Sequence, residues 1–141
     1  MKFEEYLDQY GQLTYGFQGV SMLPMLRQDK DVVTIIKKQG RCKKYDVALY
    51  RRGNKYTIHR VVDVLPDGYV ILGDNCMYKE LDITDENILG VMVSFVRGKK
   101  KIAMDHWGQK LYARIWYWLY PIRFCLKWLR RKLSKWLRSK R

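Results

Sequence analysis

Three short runs could do chemistry together: Gly19-Val20-Ser21-Met22-Leu23-Pro24, Ile58-His59-Arg60-Val61 and Gly73-Asp74-Asn75. They supply a hydroxyl, an imidazole and a carboxylate. A serine hydroxyl is a weak nucleophile at its free pKa and needs a base beside it. Histidine is the side chain best suited to take that proton near neutral pH. A carboxylate can then fix the imidazole tautomer and stabilise the imidazolium that forms. The chain has one other histidine, His106, which stands beside the basic C-terminal segment, so His59 is the candidate base. Each run alone has an ordinary reading. A serine after glycine is usually a turn residue, a strand histidine is usually structural, and Gly-Asp-Asn is usually a turn. The ordered set, with Met22, Pro24, Arg60 and Val61 in place, favours catalysis.

The Ser21 block, followed by His59-Arg60-Val61 and Gly73-Asp74-Asn75, resembles the type I signal peptidase family over Tyr15 to Val96. It is similar in particular to the branch with a histidine base. In the main bacterial branch a lysine stands before the Arg-Val pair. The resemblance implies a serine endopeptidase with Ser21 as nucleophile and His59 as general base, and no metal or organic cofactor. The histidine branch has two acids, the Asp of Gly-Asp-Asn and a second Asp six residues later. Asp74 matches the first and Glu80 occupies the second position, so these two stand level as the group that orients His59, with Asp82 behind them. The resemblance also implies that Gly19, Val20, Met22 and Pro24 shape the oxyanion hole and the substrate side. Ser21 N–H would be a donor there, and an extended segment from Tyr15 to Val20 would run along the peptide. Small residues flanking the cut are expected from the family alone. Three departures stand out. Gly19 replaces a side-chain hydroxyl that the lysine branch often carries, and two turn glycines are missing, in Gln28-Asp29-Lys30-Asp31 and before Asp46, where Tyr45 stands.

Charge divides the chain in two. Residues 1–96 carry 13 Lys+Arg against 13 Asp+Glu, while residues 97–141 carry 15 against the single Asp105, so the whole formal excess of +14 lies in the tail. We therefore expect a lead-in over residues 1–14, a catalytic domain over 15–96 and a basic tail over 97–141. Cys42, Cys76 and Cys125 are odd in number and form no Cys-x-x-Cys pair, which gives zinc and redox motifs no support and favours a reduced compartment. The start, Met1 to Asp8, is acidic and has no apolar core of a secretory signal. Both features lean to the cytoplasmic side of a membrane, whereas the family leans to the outer side.

The elements that must hold the three runs are mostly strands. Residues 1–10 suit a short helix. β-Branched runs predict strands at Asp31–Ile36, Asp46–Tyr50, Tyr56–Val64, Tyr69–Leu72 and Asn87–Val96. The third puts Thr57, His59 and Val61 on one face and Ile58, Arg60 and Val62 on the other. The expected fold is mainly β: a small, strongly bent antiparallel sheet or partial barrel of the signal peptidase type, with a C-terminal amphipathic helical tail.

In that tail Leu111, Ile115, Trp118, Leu119, Ile122, Leu126, Leu129, Leu133 and Leu137 recur at helical spacing, and all five tryptophans lie in it. Pro121 should kink or split the helix. The longest uncharged apolar stretch, Ile115 to Ile122, is far short of the ~17–25 residues that span a bilayer. The twenty residues before Ser21 make no anchor of the kind the family carries there. An apolar stripe with tryptophans and cations suits a helix lying on an anionic membrane surface, with Trp116, Trp118, Trp128, Arg130, Arg131 and Trp136 as contacts. A tail packed on the sheet and a nucleic-acid arm are the rivals; a nucleic-acid arm needs no continuous apolar stripe. The reading is a membrane-associated serine peptidase that cleaves a leader-like segment of a peptide or protein. A self-cleaving regulator of the same clan would need a lysine base and a DNA-binding domain. An inactive peptide-binding module acting with a membrane-protein partner is the alternative from another class.

Overall fold

β-Branched and aromatic runs build a sheet, and the tail turns helical where leucine and tryptophan take over. The computed structural model describes residues 1–141. In chain order the elements are α1 (Phe3–Tyr10), β1 (Gln12–Gly16), β2 (Asp31–Lys37), β3 (Val47–Arg52), β4 (Lys55–Leu65), β5 (Gly68–Leu72), β6 (Glu80–Ile83), β7 (Ile88–Arg97), β8 (Lys100–Ala103), α2 (Trp107–Trp118) and α3 (Tyr120–Ser139). All eight strands pair antiparallel in one sheet, ordered β1-β2-β7-β3-β4-β5-β6, with β8 added along the end of β7. The sheet is open, because β1 and β6 each pair on one side only. Register shifts at Thr34/Ile35, Leu49/Tyr50, Val61/Asp63 and Tyr69/Ile71 mark where it bends.

The alternation along β3 gives the sheet two cores. Val47 and Leu49 join Leu7, Phe17, Met22, Leu26, Ile35 and Phe95 on one face. Ala48 and Tyr50 join Val61, Tyr69, Ile71 and Ile83 on the other. Met22 and Leu26 are fully buried. Each such side chain contributes about 1.5–3 kcal/mol, so the turn carrying Ser21 is nailed to the first core from its C-terminal side.

The sheet reaches past both expected domain bounds. It begins at Gln12, inside the expected lead-in, and ends at Ala103, inside the expected tail. The turn without its glycine at Tyr45 keeps a glycine-like backbone: Tyr45 has φ +77, and Asp29 in the other turn has φ +62.

Helix α2 ends at Trp118 and α3 restarts with Pro121 in its first turn, where a missing N–H costs nothing. The proline therefore splits the tail. Helix α3 buries no residue, and Ile122, Leu126, Leu129, Leu133 and Leu137 are each more than half exposed. The tail does not pack its stripe on the sheet. No helix is long and apolar enough to cross a membrane.

Candidate active site

The serine turn is held from three directions. Gly19 adopts φ +96, a conformation other residues rarely take, and its N–H donates to Gln28 Oε1 at 2.8 Å. Behind the turn, Arg97 donates to the Met25 carbonyl at 2.7 Å while its guanidinium grips buried Asp31. In front, Asn75 N–H donates to the Ser21 carbonyl at 2.8 Å, and Asn75 Nδ2 donates to the Val20 carbonyl at 3.1 Å. The third run of the sequence thus clasps the first. The Ser21 N–H and hydroxyl make no hydrogen bond inside the protein, which leaves both without an internal partner on a half-buried residue.

His59 is positioned by the pairing of β3 with β4, in which Ala48 lies opposite His59. The Tyr50 hydroxyl, two residues further along β3 on the same face, lies 3.0 Å from His59 Nδ1. That hydroxyl donates its own proton to Glu80 Oε2 at 2.8 Å. Its oxygen must then accept from His59, which puts the imidazole proton on Nδ1 and leaves the Nε2 lone pair free. This is the tautomer a general base needs. Burial holds the imidazole below its ordinary pKa, opposed by the charges of Glu80 and Asp74. Burial, reinforced by Glu80, also pushes the Tyr50 phenol well up, so it remains a donor.

Gly73 brings the pieces together. A Cβ built there would sit 2.8 Å from the Ser21 carbonyl oxygen, 2.9 Å from His59 Nε2 and 2.6 Å from Cys76 Sγ. The Ser21 backbone and the basic nitrogen therefore flank one point, and their separation cannot exceed the sum of the first two distances. No hydrogen bond joins the Ser21 hydroxyl to Nε2 in this structure; such bonds are often long before substrate binds. Gly73→Ala should force the clasp and the imidazole apart. We expect about a 10²-fold loss of any turnover that depends on Ser21 and His59, the usual result of misplacing reacting groups by an ångström. Turnover within threefold of wild type would show that the close approach is not needed.

The two level acids separate cleanly. His59 and Arg60 are neighbours in β4 and point to opposite faces. Asp74 lies on the Arg60 side, where its carboxylate takes Arg60 Nε at 2.9 Å, Arg60 Nη2 at 3.1 Å and the Tyr112 hydroxyl at 2.8 Å. Both members of the ion pair are almost wholly buried. Asp74 is thus a structural anchor, and Glu80 reaches His59 only through Tyr50. Asp82 is exposed and paired with Arg52 at 2.6 Å. Of the residues expected to shape the substrate side, Val20 is exposed, Gly19 sets the turn and Pro24 stands at the surface. Met22 does not belong with them: its side chain is in the first core, and its sulfur accepts the Asp74 N–H at 3.4 Å. The extended segment stops at Gly16, and Gly19-Val20 bends instead of continuing the strand.

The tail is part of the site's frame. Trp116 Nε1 donates to the Asp74 carbonyl at 2.7 Å, Arg123 Nη1 donates to the same oxygen at 3.0 Å, and Lys127 Nζ donates to the Asn75 carbonyl at 2.6 Å. Trp116 also carries the Arg123 guanidinium 4.1 Å over its ring. It is therefore no membrane contact. Trp118, Trp128, Arg130, Arg131 and Trp136 remain exposed. A cavity of about 670 Å³ lies under α2, lined by Lys43, Asp46, Ser94 and Gln109 among others, and does not reach Ser21 or His59. Nowhere do three His, Cys, Asp or Glu side chains gather as a metal would require. Cys76 stands beside Nε2, but burial raises its pKa, so the thiol stays protonated at neutral pH and is a poor nucleophile. No protein-family model and no curated protein matches the chain.

Proposed function

We propose that this protein is a serine endopeptidase with a sheet of the signal peptidase type, which cleaves a leader-like segment of a peptide or protein at an anionic membrane surface. The single observation that carries the reading is the chain from Glu80 through Tyr50 to His59 Nδ1, which leaves Nε2 unprotonated beside the Ser21 backbone. Ser21 Oγ attacks the scissile carbonyl carbon as Nε2 takes its proton. The Ser21 N–H, free of internal partners, donates to the developing oxyanion. Collapse breaks the C–N bond, His59 returns the proton to the leaving amine, and water then hydrolyses the acyl-enzyme by the same route. The exposed stripe of α2 and α3, flanked by cations, supports contact with the headgroup layer.

The test is cleavage of a panel of leader peptides, followed by mass spectrometry, with anionic vesicles present. Wild type should cut a peptide with small residues before the bond, and Ser21→Ala should not. The absent Ser21–His59 hydrogen bond favours a second reading, an inactive module that binds such peptides for a membrane-protein partner. Tight peptide binding without Ser21-dependent cleavage would select it.

The pH dependence follows from the direction of the His59 shift. Only the neutral imidazole is a base, and its pKa is depressed by burial. Cleavage should persist below the ordinary histidine value of ~6.5 and then fall with unit slope. The Glu80 charge raises the His59 pKa, so Glu80→Gln should move the acid limb to still lower pH. A limb that moves up would contradict the arrangement. Stability follows the same proton. The unfolded chain protonates His59 at a higher pH than the folded one, so this contribution is complete above ~6.5 and is lost as pH falls toward the folded value.

A further inference from the structure

A second pocket, of about 630 Å³, opens where the Lys44-Tyr45 turn, Lys79 and the α2–α3 junction meet. Three cations converge on it. Lys44 Nζ lies 5.3 Å from the Tyr45 ring centre and 5.9 Å from that of Tyr117. Lys79 Nζ lies 5.2 Å from the Tyr117 centre and 5.0 Å from that of Tyr120, and donates to the Tyr117 hydroxyl at 2.9 Å. Arg114 sits 5.6 Å from the Tyr45 centre. None of the three forms a salt bridge, although most acidic side chains of the sheet are taken up in such pairs or in hydrogen bonds. Rings shared between cations soften their mutual repulsion without neutralising it. An anion bound between them would do so.

The remaining walls decide which anion. Ile115, Trp118 and Pro121 line the same pocket. Ile115 is 47% exposed and Trp118 77%, and they continue the bare apolar stripe of α3. A free phosphate has no use for that rim; a phosphate with acyl chains attached does.

We propose that this pocket binds the phosphodiester headgroup of an anionic glycerophospholipid, with Lys44, Lys79 and Arg114 around the phosphate and Trp118 and Ile115 against the glycerol and upper acyl chain. The proposal rests on the membrane-surface reading above and adds a saturable site to it. Occupancy would set the depth and rotation of α2, whose Trp116 holds the Asp74 carbonyl, and so would place the serine turn at a fixed height above the bilayer.

The probe is dihexanoylphosphatidylglycerol below its micellar concentration, titrated into the full chain and followed by tryptophan fluorescence. Dihexanoylphosphatidylcholine and inorganic phosphate serve as comparisons. Wild type should bind the anionic lipid saturably and the other two weakly. The triple variant Lys44→Ala, Lys79→Ala, Arg114→Ala should weaken binding at least about tenfold, given the usual contribution of each cation near an anionic lipid. A charge-matched variant away from the tail helices and the pocket, Lys30→Ala, Lys99→Ala, Lys100→Ala, should leave it unchanged, and replacing Lys44 and Lys79 by arginine should retain it. Equal losses in both triple variants, or phosphate binding as tightly as the lipid, would overturn the site. So would absence of lipid binding while the protein still co-sediments with phosphatidylglycerol vesicles. Failure to sediment on those vesicles at all would instead remove the membrane reading itself.

Discussion

His59→Ala should lower leader-peptide turnover by about 10²–10⁴, the usual worth of a positioned general base, while the fold persists. The imidazole is buried at the seam between β3 and β4, and its loss deletes one hydrogen bond to Tyr50 but no member of either apolar core. Circular dichroism should therefore keep its native form while the unfolding midpoint falls modestly. Tyr50→Phe gives a graded version. It removes the acceptor for Nδ1–H and cuts His59 off from Glu80, so the productive tautomer is no longer enforced. Turnover should fall by on the order of 10²-fold, less than in His59→Ala. A Tyr50→Phe enzyme as active as wild type would show that the phenol does not orient the base.

Asp74→Ala should cost stability first and activity as a consequence. The substitution strands the Arg60 guanidinium, which is 3% exposed, without its carboxylate. Removing one member of a buried pair typically costs about 3–5 kcal/mol, a large part of the ~5–15 kcal/mol that holds a domain folded. Tyr112 of α2 loses its acceptor at the same time. Urea denaturation should show a sharply lower midpoint with an unchanged slope. Glu80→Gln should behave in the opposite way. Glu80 is partly exposed, so its removal should cost little stability while it perturbs the pH profile. Equal midpoints for Asp74→Ala and wild type would mean that Asp74 is no anchor, and would return it to contention as a partner of the base.

Much of the sheet is legible in the chain because its central strands are apolar. Strands β2, β3, β4, β5 and β7 begin and end within one or two residues of where the apolar and β-branched runs put them. Strands β1, β6 and β8 are not legible in this way. Gln12-Leu13-Thr14-Tyr15-Gly16 and Lys100-Lys101-Ile102-Ala103 expose most of their side chains, and the short β6 buries only Ile83. They are strands because a neighbour offers backbone partners, and composition does not record that. The candidate site divides similarly. Ser21, His59 and the Gly73-Asp74-Asn75 loop stand out by residue type and order. Tyr50 does not, since it reads as the aromatic end of an apolar strand. Its role depends on the β3–β4 register, which is set by pairing in space. Trp116 carried a usable signal. It falls off the line of Ile115, Trp118 and Ile122 and shares a second helical face with Tyr112, Tyr120, Arg123 and Lys127. That face docks on the domain, so the tail is amphipathic twice over.

The measurement that tests the central claim most directly is capture of the acyl-enzyme. A leader-derived peptide ester is mixed with the protein at neutral pH, quenched in acid, digested and mapped by mass spectrometry. The account predicts an acyl group on Ser21 in wild type and none in His59→Ala. Two side chains near Nε2 could carry the adduct, because Cys76 Sγ shares the space around Gly73. An acyl group mapped to Cys76, or cleavage that survives Ser21→Ala, would contradict the assignment of Ser21 as the nucleophile.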